Sequence, residues 1–121
     1  MIQLHIASDN YELNDKITEY VERKICRLDR YLPRSVEATG AVTLTLDQSG
    51  REDNQCVCEA IIQLPGPNLQ AKEATVNMFA AVDIVEAKLK VQAMKYKDRA
   101  MGKSNRRQIF LNKLLRRDQG I

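Results

Sequence analysis

The chain has 121 residues, enough for one domain, and its core must be mostly aliphatic because 44% of the residues are hydrophobic but only 5% are aromatic. Three cysteines, with Cys56 and Cys58 only one residue apart, exclude a fully paired disulfide framework and a CxxC-type zinc site. The net charge of +3 is uneven, because residues 103–121 carry six basic and one acidic residue (+5) and residues 1–102 carry 13 and 15 (−2), so a polyanionic partner can be inferred only from where the charges lie.

The first segment, MIQLHIASDN, predicts a β-strand, because Ile2, Leu4 and Ile6 alternate with other residues at a period of two. It lacks the basic and apolar regions of a secretory signal. No apolar run in the chain approaches the roughly 18 residues that span a bilayer. We therefore expect a cytoplasmic protein of a reducing compartment, with no membrane partner.

The second element is predicted to be an amphipathic helix that Asn14 caps. Apolar residues recur at helical spacing through DKITEYVERKICRLDRYL as far as Leu32, and Pro33 prevents a smooth continuation. On a helical wheel the charges of this segment are sorted by side. Basic residues occupy one flank, namely Lys16, Arg23, Arg27 and Arg30, and acidic residues the other, namely Asp15, Glu19, Glu22 and Asp29.

Three more strands and a second helix follow. VEATGAVTLTLD and QCVCEAIIQL predict a hairpin around the polar turn QSGREDN, and NLQAKEA predicts a further strand after the turn PGPN. Thr75 is predicted to cap a long helix that runs to about Arg99 or Met101 and ends at Gly102. The order β-α-β-β-β-α predicts an α+β fold, with a four-stranded sheet and two helices on one face.

The second helix carries five cations over the roughly 17 Å between residues 88 and 99. The wheel places Lys88, Lys95 and Arg99 along one edge of its apolar stripe, and Lys90 and Lys97 along the opposite edge. A lysine-rich solvated face, or cations that favour the negative end of the helix dipole, is the plain explanation. However, the dipole effect decays within one turn and Lys88 lies too far back, so the pattern favours a nucleic-acid surface.

The expected mode of recognition is contact with a phosphate backbone. No helix-turn-helix, zinc finger or RNA-binding aromatic motif occurs, and no side chains are spaced to contact base edges in a major groove. DNA is therefore not expected as a partner, and structured RNA fits the pattern best.

Several motifs resemble the ribosome hibernation factor family, which is also called the ribosome-associated inhibitor or sigma-54 modulation protein family. They are EAIIQLPG leading into LQAKE, then NMFAAVD and KLKVQAMKYK, with a first helix, ITEYVERKICRLDRYL, that is also similar. The resemblance covers residues 1 to about 101. It implies a β-α-β-β-β-α fold related to double-stranded-RNA-binding domains.

The resemblance also implies a function and a site. Family members bind the small ribosomal subunit, where messenger RNA and the A- and P-site transfer RNAs would lie, and silence ribosomes during starvation. The expected partners are thus ribosomal RNA of 30S or 70S particles and ribosomal proteins. The RNA-facing basic residues of the family fall here on Lys24, Arg27, Arg30, Lys88, Lys95 and Arg99, and the wheel alone adds Lys90 and Lys97.

This chain departs from the family pattern at three places. Val91 stands where an arginine is usual, and Lys90 where an acidic residue is common. The loop SDNYEL lacks the usual Gly-Arg/Lys-Asn pattern. The chain resembles the short class without a dedicated dimerisation domain, and residues 102–121 form a basic tail with two open interpretations. Either it packs on its own domain or is a disordered end, or a helix capped by Asn105 adds a ribosomal contact through its apolar residues, Ile109, Phe110, Leu111, Leu114 and Leu115.

No catalytic, metal or cofactor site is predicted. His5 is the only histidine and has no serine or cysteine placed for a triad, and no P-loop, HExxH or GxGxxG motif occurs. Cys56 and Cys58 share one strand face, as small core residues do. An enzyme is therefore not expected, and the alternative function is an RNA-binding or transcription-regulatory module that does not act on the ribosome.

Overall fold

The computed structural model describes residues 2–49 and 55–100, and its elements follow the predicted order. The strands are β1 (Ile2–Asp9), β2 (Ala38–Leu46), β3 (Cys56–Gln63) and β4 (Leu69–Thr75), and the helices are α1 (Asp15–Cys26) and α2 (Met78–Ala100). This arrangement confirms the α+β class. The interpretations given for residues 102–121 lie outside the described residues.

The four strands form one mixed sheet in the order β1-β2-β3-β4. β1 and β2 are parallel, with Ile2 opposite Ala38, because the chain crosses over through α1 between them. The pairs β2–β3 and β3–β4 are antiparallel hairpins. Both helices pack on the same face, where alternate residues of β2, β3 and β4 are buried, and in β1 Ile2 is buried and Leu4 and Ile6 are half-buried.

The first helix begins as predicted but ends earlier. The Ile17 N–H donates to Asn14 Oδ1 at 3.1 Å, which satisfies one free amide of the first turn. The prediction of one α-helix as far as Leu32 is wrong, because α1 ends at Cys26 and a 3₁₀ helix, Arg27–Tyr31, follows. Leu32 is extended (φ −108°, ψ 151°), since the ring of Pro33 disfavours helical backbone in the preceding residue.

The start of the second helix also differs from the prediction. Thr75 is the last residue of β4, still paired with Cys56, so it does not cap the helix. Asn77 has that role, because its Oδ1 accepts a hydrogen bond of 2.8 Å from the Phe79 N–H. The Thr75 hydroxyl instead accepts the Asn77 N–H at 3.1 Å and fixes the turn before the cap.

One apolar core lies between the sheet and the helices. Its largest fully buried side chains are Ile17, Ile25, Leu28, Leu44, Ile62 and Leu89. Cys58 belongs to this core, and burial raises the pKa of its thiol to about 12. Its role as a small core residue is confirmed, and His5 is exposed on the other face of the sheet.

Helix α2 is also tied to the free edge of β4. The side-chain amide of Gln92 donates from Nε2 to the Gln70 carbonyl at 2.9 Å, and its Oε1 accepts the Gln70 N–H at 3.0 Å. In addition, the Tyr96 hydroxyl donates to the Pro65 carbonyl at 3.1 Å. These bonds fix the orientation of α2 against the sheet, and with it the direction in which each edge of the helix faces.

Replacement of the α1 cap should weaken the fold. We expect Asn14→Ala to lower the free energy of unfolding by about 1 kcal/mol, because the Ile17 N–H loses its acceptor. Urea titration followed by circular dichroism measures the change. Asn68→Ala, at an exposed loop position, is the control and should stay within about 0.5 kcal/mol of the parent. Equal losses in the two variants would contradict the capping role.

Candidate nucleic-acid interface

The contact between the two helices is built on Tyr20 of α1 and Asp83 of α2. The Tyr20 hydroxyl donates to Asp83 Oδ1, and this hydrogen bond is the main reason that the pKa of Tyr20 is raised. The Tyr20 ring meets the Phe79 ring edge-on, with centroids 5.0 Å apart. Lys24 Nζ lies 3.3 Å from the same Asp83 oxygen. The contact therefore fixes the spacing of the cations on the facing sides of the two helices.

Five of the predicted cations lie along this contact, and we call them the seam cluster. They are Lys24, Arg27, Arg30, Lys90 and Lys97. Arg27 and Arg30 are exposed, whereas the Lys24 side chain is only 21% exposed and is already paired with Asp83. Lys90 Nζ stands 5.2 Å from the centroid of the Tyr31 ring, a cation–π distance that orients its ammonium. Lys24 is thus the member least available to a ligand.

A shallow pocket beside Arg30 and Lys97 of the seam cluster is also lined by a cation that the sequence analysis did not single out. Arg30 and Lys97 line it together with Arg34, which follows the 3₁₀ helix and Pro33. Asp29 also lines this pocket, so its cations are partly balanced. Arg34 lies outside both helices, where a helical wheel cannot place it. Its position directly after Pro33 at the end of the helical pattern was the only available signal.

The remaining three predicted cations form the edge cluster, Lys88, Lys95 and Arg99, on the side of α2 that faces β4. Lys88 Nζ donates to Glu73 Oε2 of β4 at 2.8 Å, and this bond holds the pKa of the Glu73 carboxyl below its usual value. Lys95 and Arg99 are exposed and border a pocket beside Tyr96 and Pro67. Within the part of the chain that the structure describes, neither of them has a carboxylate partner.

The structure thus brings the eight predicted residues together as two clusters. Both lie on the helix layer, and the width of one helix, about 10 Å with side chains, separates them. The wheel anticipated this division of the α2 cations between two edges. It did not show that Glu73 and Asp83 already hold Lys88 and Lys24, because those pairs depend on how α2 packs against β4 and α1.

The clusters can bind a polyanion but offer little for the recognition of individual bases. Ammonium and guanidinium groups at the surface donate to phosphate oxygens without regard to sequence. In residues 2–49 and 55–100, no group of three or more His, Cys, Asp or Glu side chains is placed to hold a metal ion. No helix in that part of the chain is long and apolar enough to cross a membrane.

Removal of the Glu73 carboxylate should strengthen binding to a polyanion. In Glu73→Gln we expect affinity for a structured RNA, the polyanion that the charge pattern favours, to rise about two- to fivefold, because Lys88 is released from an exposed ion pair. Filter binding at constant salt measures the change. Glu59→Gln, which makes the same charge change on the opposite face of the sheet, should raise affinity less. An equal rise in both variants would show that only net charge matters.

The same ion pair has a defined dependence on pH. Because the pKa of Glu73 is lowered in the folded protein, its contribution to stability is present above the ordinary value of 4.5 and is lost as the pH falls through the lowered pKa. Glu73→Gln should therefore show a smaller loss of stability than the parent over that acidic range.

Comparison with known proteins gives this surface a context. Residues 4–101 match the family described as "Sigma 54 modulation protein / S30EA ribosomal protein". The ribosome hibernation promotion factor of Lactococcus lactis subsp. cremoris is 36% identical over 101 residues, which are 82% of this chain and 51% of that protein. The factor of the same name from Staphylococcus aureus is 33% identical over 108 residues, or 88% and 54%. The chain therefore spans about half the length of these curated relatives.

Two solved structures resemble the fold. The N-terminal domain of Protein Y from Thermus thermophilus is 29% identical, with a TM-score of 0.66 over 78% of this chain and 97% of that one. A ribosomal subunit interface protein from Coxiella burnetii has a TM-score of 0.62 over 80% and 98%, and at 21% identity it bears on the fold alone. Both likenesses extend over nearly the whole of the two solved chains and about four fifths of this one.

Proposed function

The chain belongs to the sigma 54 modulation protein / S30EA ribosomal protein family, and from this premise we propose that it is a ribosome hibernation factor. It binds the small subunit of 30S and 70S particles and blocks translation under stress or starvation. Its relatives at 33–36% identity carry the name ribosome hibernation promotion factor. The role is one of binding rather than catalysis, and it is exercised in the cytoplasm, where the ribosomes are.

The observation that carries the proposal is the pair of cationic clusters on the helix layer. Residues 1–101 act as the ribosome-binding domain, and the seam and edge clusters contact ribosomal RNA phosphates in the channel of messenger RNA and the A- and P-site transfer RNAs. Arg34 joins the seam cluster in this role. Shape-based recognition is expected, because exposed lysines and arginines contact backbone more readily than base edges.

Sedimentation tests the proposal directly. The protein, added to purified small subunits, should travel with them through a sucrose gradient at moderate salt. It should be lost from subunits that already carry messenger RNA and a P-site transfer RNA, because the proposed channel is then occupied. Protein that stays at the top of the gradient even at low salt would refute ribosome binding, and would leave the alternative of a regulatory module acting elsewhere.

Translation in a purified system provides the second measurement. The amount of protein synthesised should fall as the factor is titrated against ribosomes, and excess messenger RNA should restore it. Binding that persists unchanged on programmed subunits, without inhibition, would place the protein outside the channel.

A further inference from the structure

The outward face of α2 carries an apolar row between the two cationic clusters. Ile84, Ala87, Val91 and Met94, which we call the outer stripe, follow one another at intervals of three, four and three residues. Ile84 is 38% exposed, Val91 53% and Met94 48%. Single exposed apolar residues are ordinary, but a row at this spacing presents one continuous apolar face along a helix.

The spacing is that of a coiled-coil half. If Ile84 and Val91 take position a of a heptad, Ala87 and Met94 take position d. Positions e and g then flank the stripe. From residue 88 to residue 97 each of them is a lysine, with Lys88 and Lys95 at e and Lys90 and Lys97 at g. Residues at these positions determine which partner helix is accepted.

The charges argue against a second copy of the chain as the partner. In a parallel pair position g faces e of the other helix, and in an antiparallel pair like positions face each other. Either orientation would set lysine against lysine. The segment 103–121, with a charge of +5, is an equally poor match for a face lined by four lysines.

RNA is also a poor ligand for the apolar residues of the stripe itself. Phosphates would satisfy the lysines, but bases need aromatic rings or arginine planes to stack on, and the stripe contains neither. An RNA ligand would leave Val91 and Met94 facing water or poorly matched polar groups.

We propose that the outer stripe is a docking site for an acidic amphipathic helix of a protein partner. Its apolar residues cover Ile84, Val91 and Met94, and its glutamates or aspartates pair with the flanking lysines. Lys88, Lys90, Lys95 and Lys97 also belong to the clusters assigned above to ribosomal RNA. On the proposed function, the acidic helix and the ribosome therefore compete, and the partner keeps the factor off the small subunit.

A designed peptide of three heptads, with leucine at a and d and glutamate at e and g, tests the docking site on the full chain. Fluorescence anisotropy should show micromolar binding, and Val91→Gln with Met94→Gln should weaken it by about tenfold or more. Val76→Gln, at a 70% exposed valine that lies outside the stripe, should have no effect. A peptide with lysine at e and g should not bind.

Four outcomes would overturn the proposal. The acidic peptide does not bind, or it binds the Val91→Gln, Met94→Gln variant as well as the parent. Light scattering shows that the parent is a dimer and the variant a monomer, which would show that a second copy of the chain covers the stripe. The variant loses affinity for an RNA oligonucleotide, which would show that RNA covers the stripe. These readings need no ribosome, and they stay separate from a failure of the proposed function.

The competition is measured on the gradient used above. The acidic peptide should move the parent protein from the small subunit to the top, and the variant should remain bound at the same peptide concentration. Co-sedimentation of peptide and protein with the subunit would refute the competition.

Discussion

Charge reversal at the exposed end of the edge cluster should greatly weaken binding to the small ribosomal subunit. For Lys95→Glu with Arg99→Glu we expect a loss of about two orders of magnitude in affinity, because on the proposed function two phosphate contacts become repulsive. The slope of log affinity against log salt should fall by about two, one for each phosphate contact. The fold should be unaffected, since both side chains are exposed and have no carboxylate partner among the described residues.

The control must match the change in net charge. Lys72→Glu combined with Gln3→Glu and Gln63→Glu also lowers the charge by four, at exposed positions on the face of the sheet opposite the helices. This variant should retain most of its affinity. If both variants lose affinity equally, the effect is one of overall charge and not of the edge cluster. If the edge variant still binds as the parent does, α2 is not the RNA-facing helix.

Truncation of the α2 core side chain Leu89 should strongly destabilise the fold. Leu89 is fully buried between α2 and the sheet, and we expect Leu89→Ala to lower the free energy of unfolding by about 2–5 kcal/mol through lost burial and a cavity. Urea unfolding measures this. Val91→Ala, two residues further along and 53% exposed, should change stability by no more than about 0.5 kcal/mol.

These two positions also test the orientation of the helix. If Val91→Ala were as damaging as Leu89→Ala, α2 would be rotated from the position described, and neither cationic edge would face as inferred. A large loss at Leu89 alone would support both the core and the outward direction of the outer stripe.

The fold could be predicted from sequence because its periodic patterns are strong. β-branched runs between polar turns indicated the strands, and the spacing of Val82, Val85, Leu89 and Ala93 indicated the buried side of α2. The helix ends were less predictable. Thr75 and Asn77 are both good caps, and only the pairing of Thr75 with Cys56 in the sheet decides between them. Likewise, the change from α-helix to 3₁₀ helix after Cys26 depends on Pro33 and on the burial of Leu28.

The side of the helix on which each predicted cation lies could be inferred from the sequence, but its availability to a ligand could not. A wheel sorts cations by side, and it placed Lys90 and Lys97 apart from Lys95 and Arg99. It cannot show that Lys24 is held by Asp83 at 3.3 Å, since that contact joins two helices distant in the chain. It also cannot place Arg34, which no period relates to the helices. Tertiary packing thus determines which cations remain open to a ligand.

The double hydrogen bond between Gln92 and Gln70 has a consequence for self-association. An edge strand that offers free N–H and C=O groups is a template for a strand of another molecule, and hence for aggregation. At Gln70 both groups are already taken by a side chain of α2, so β4 cannot be extended there. A strand of another molecule could pair at this point of the edge only by displacing the Gln92 side chain from Gln70. The side chain that helps to orient α2, and with it the edge cluster, therefore also protects this part of β4 from strand addition.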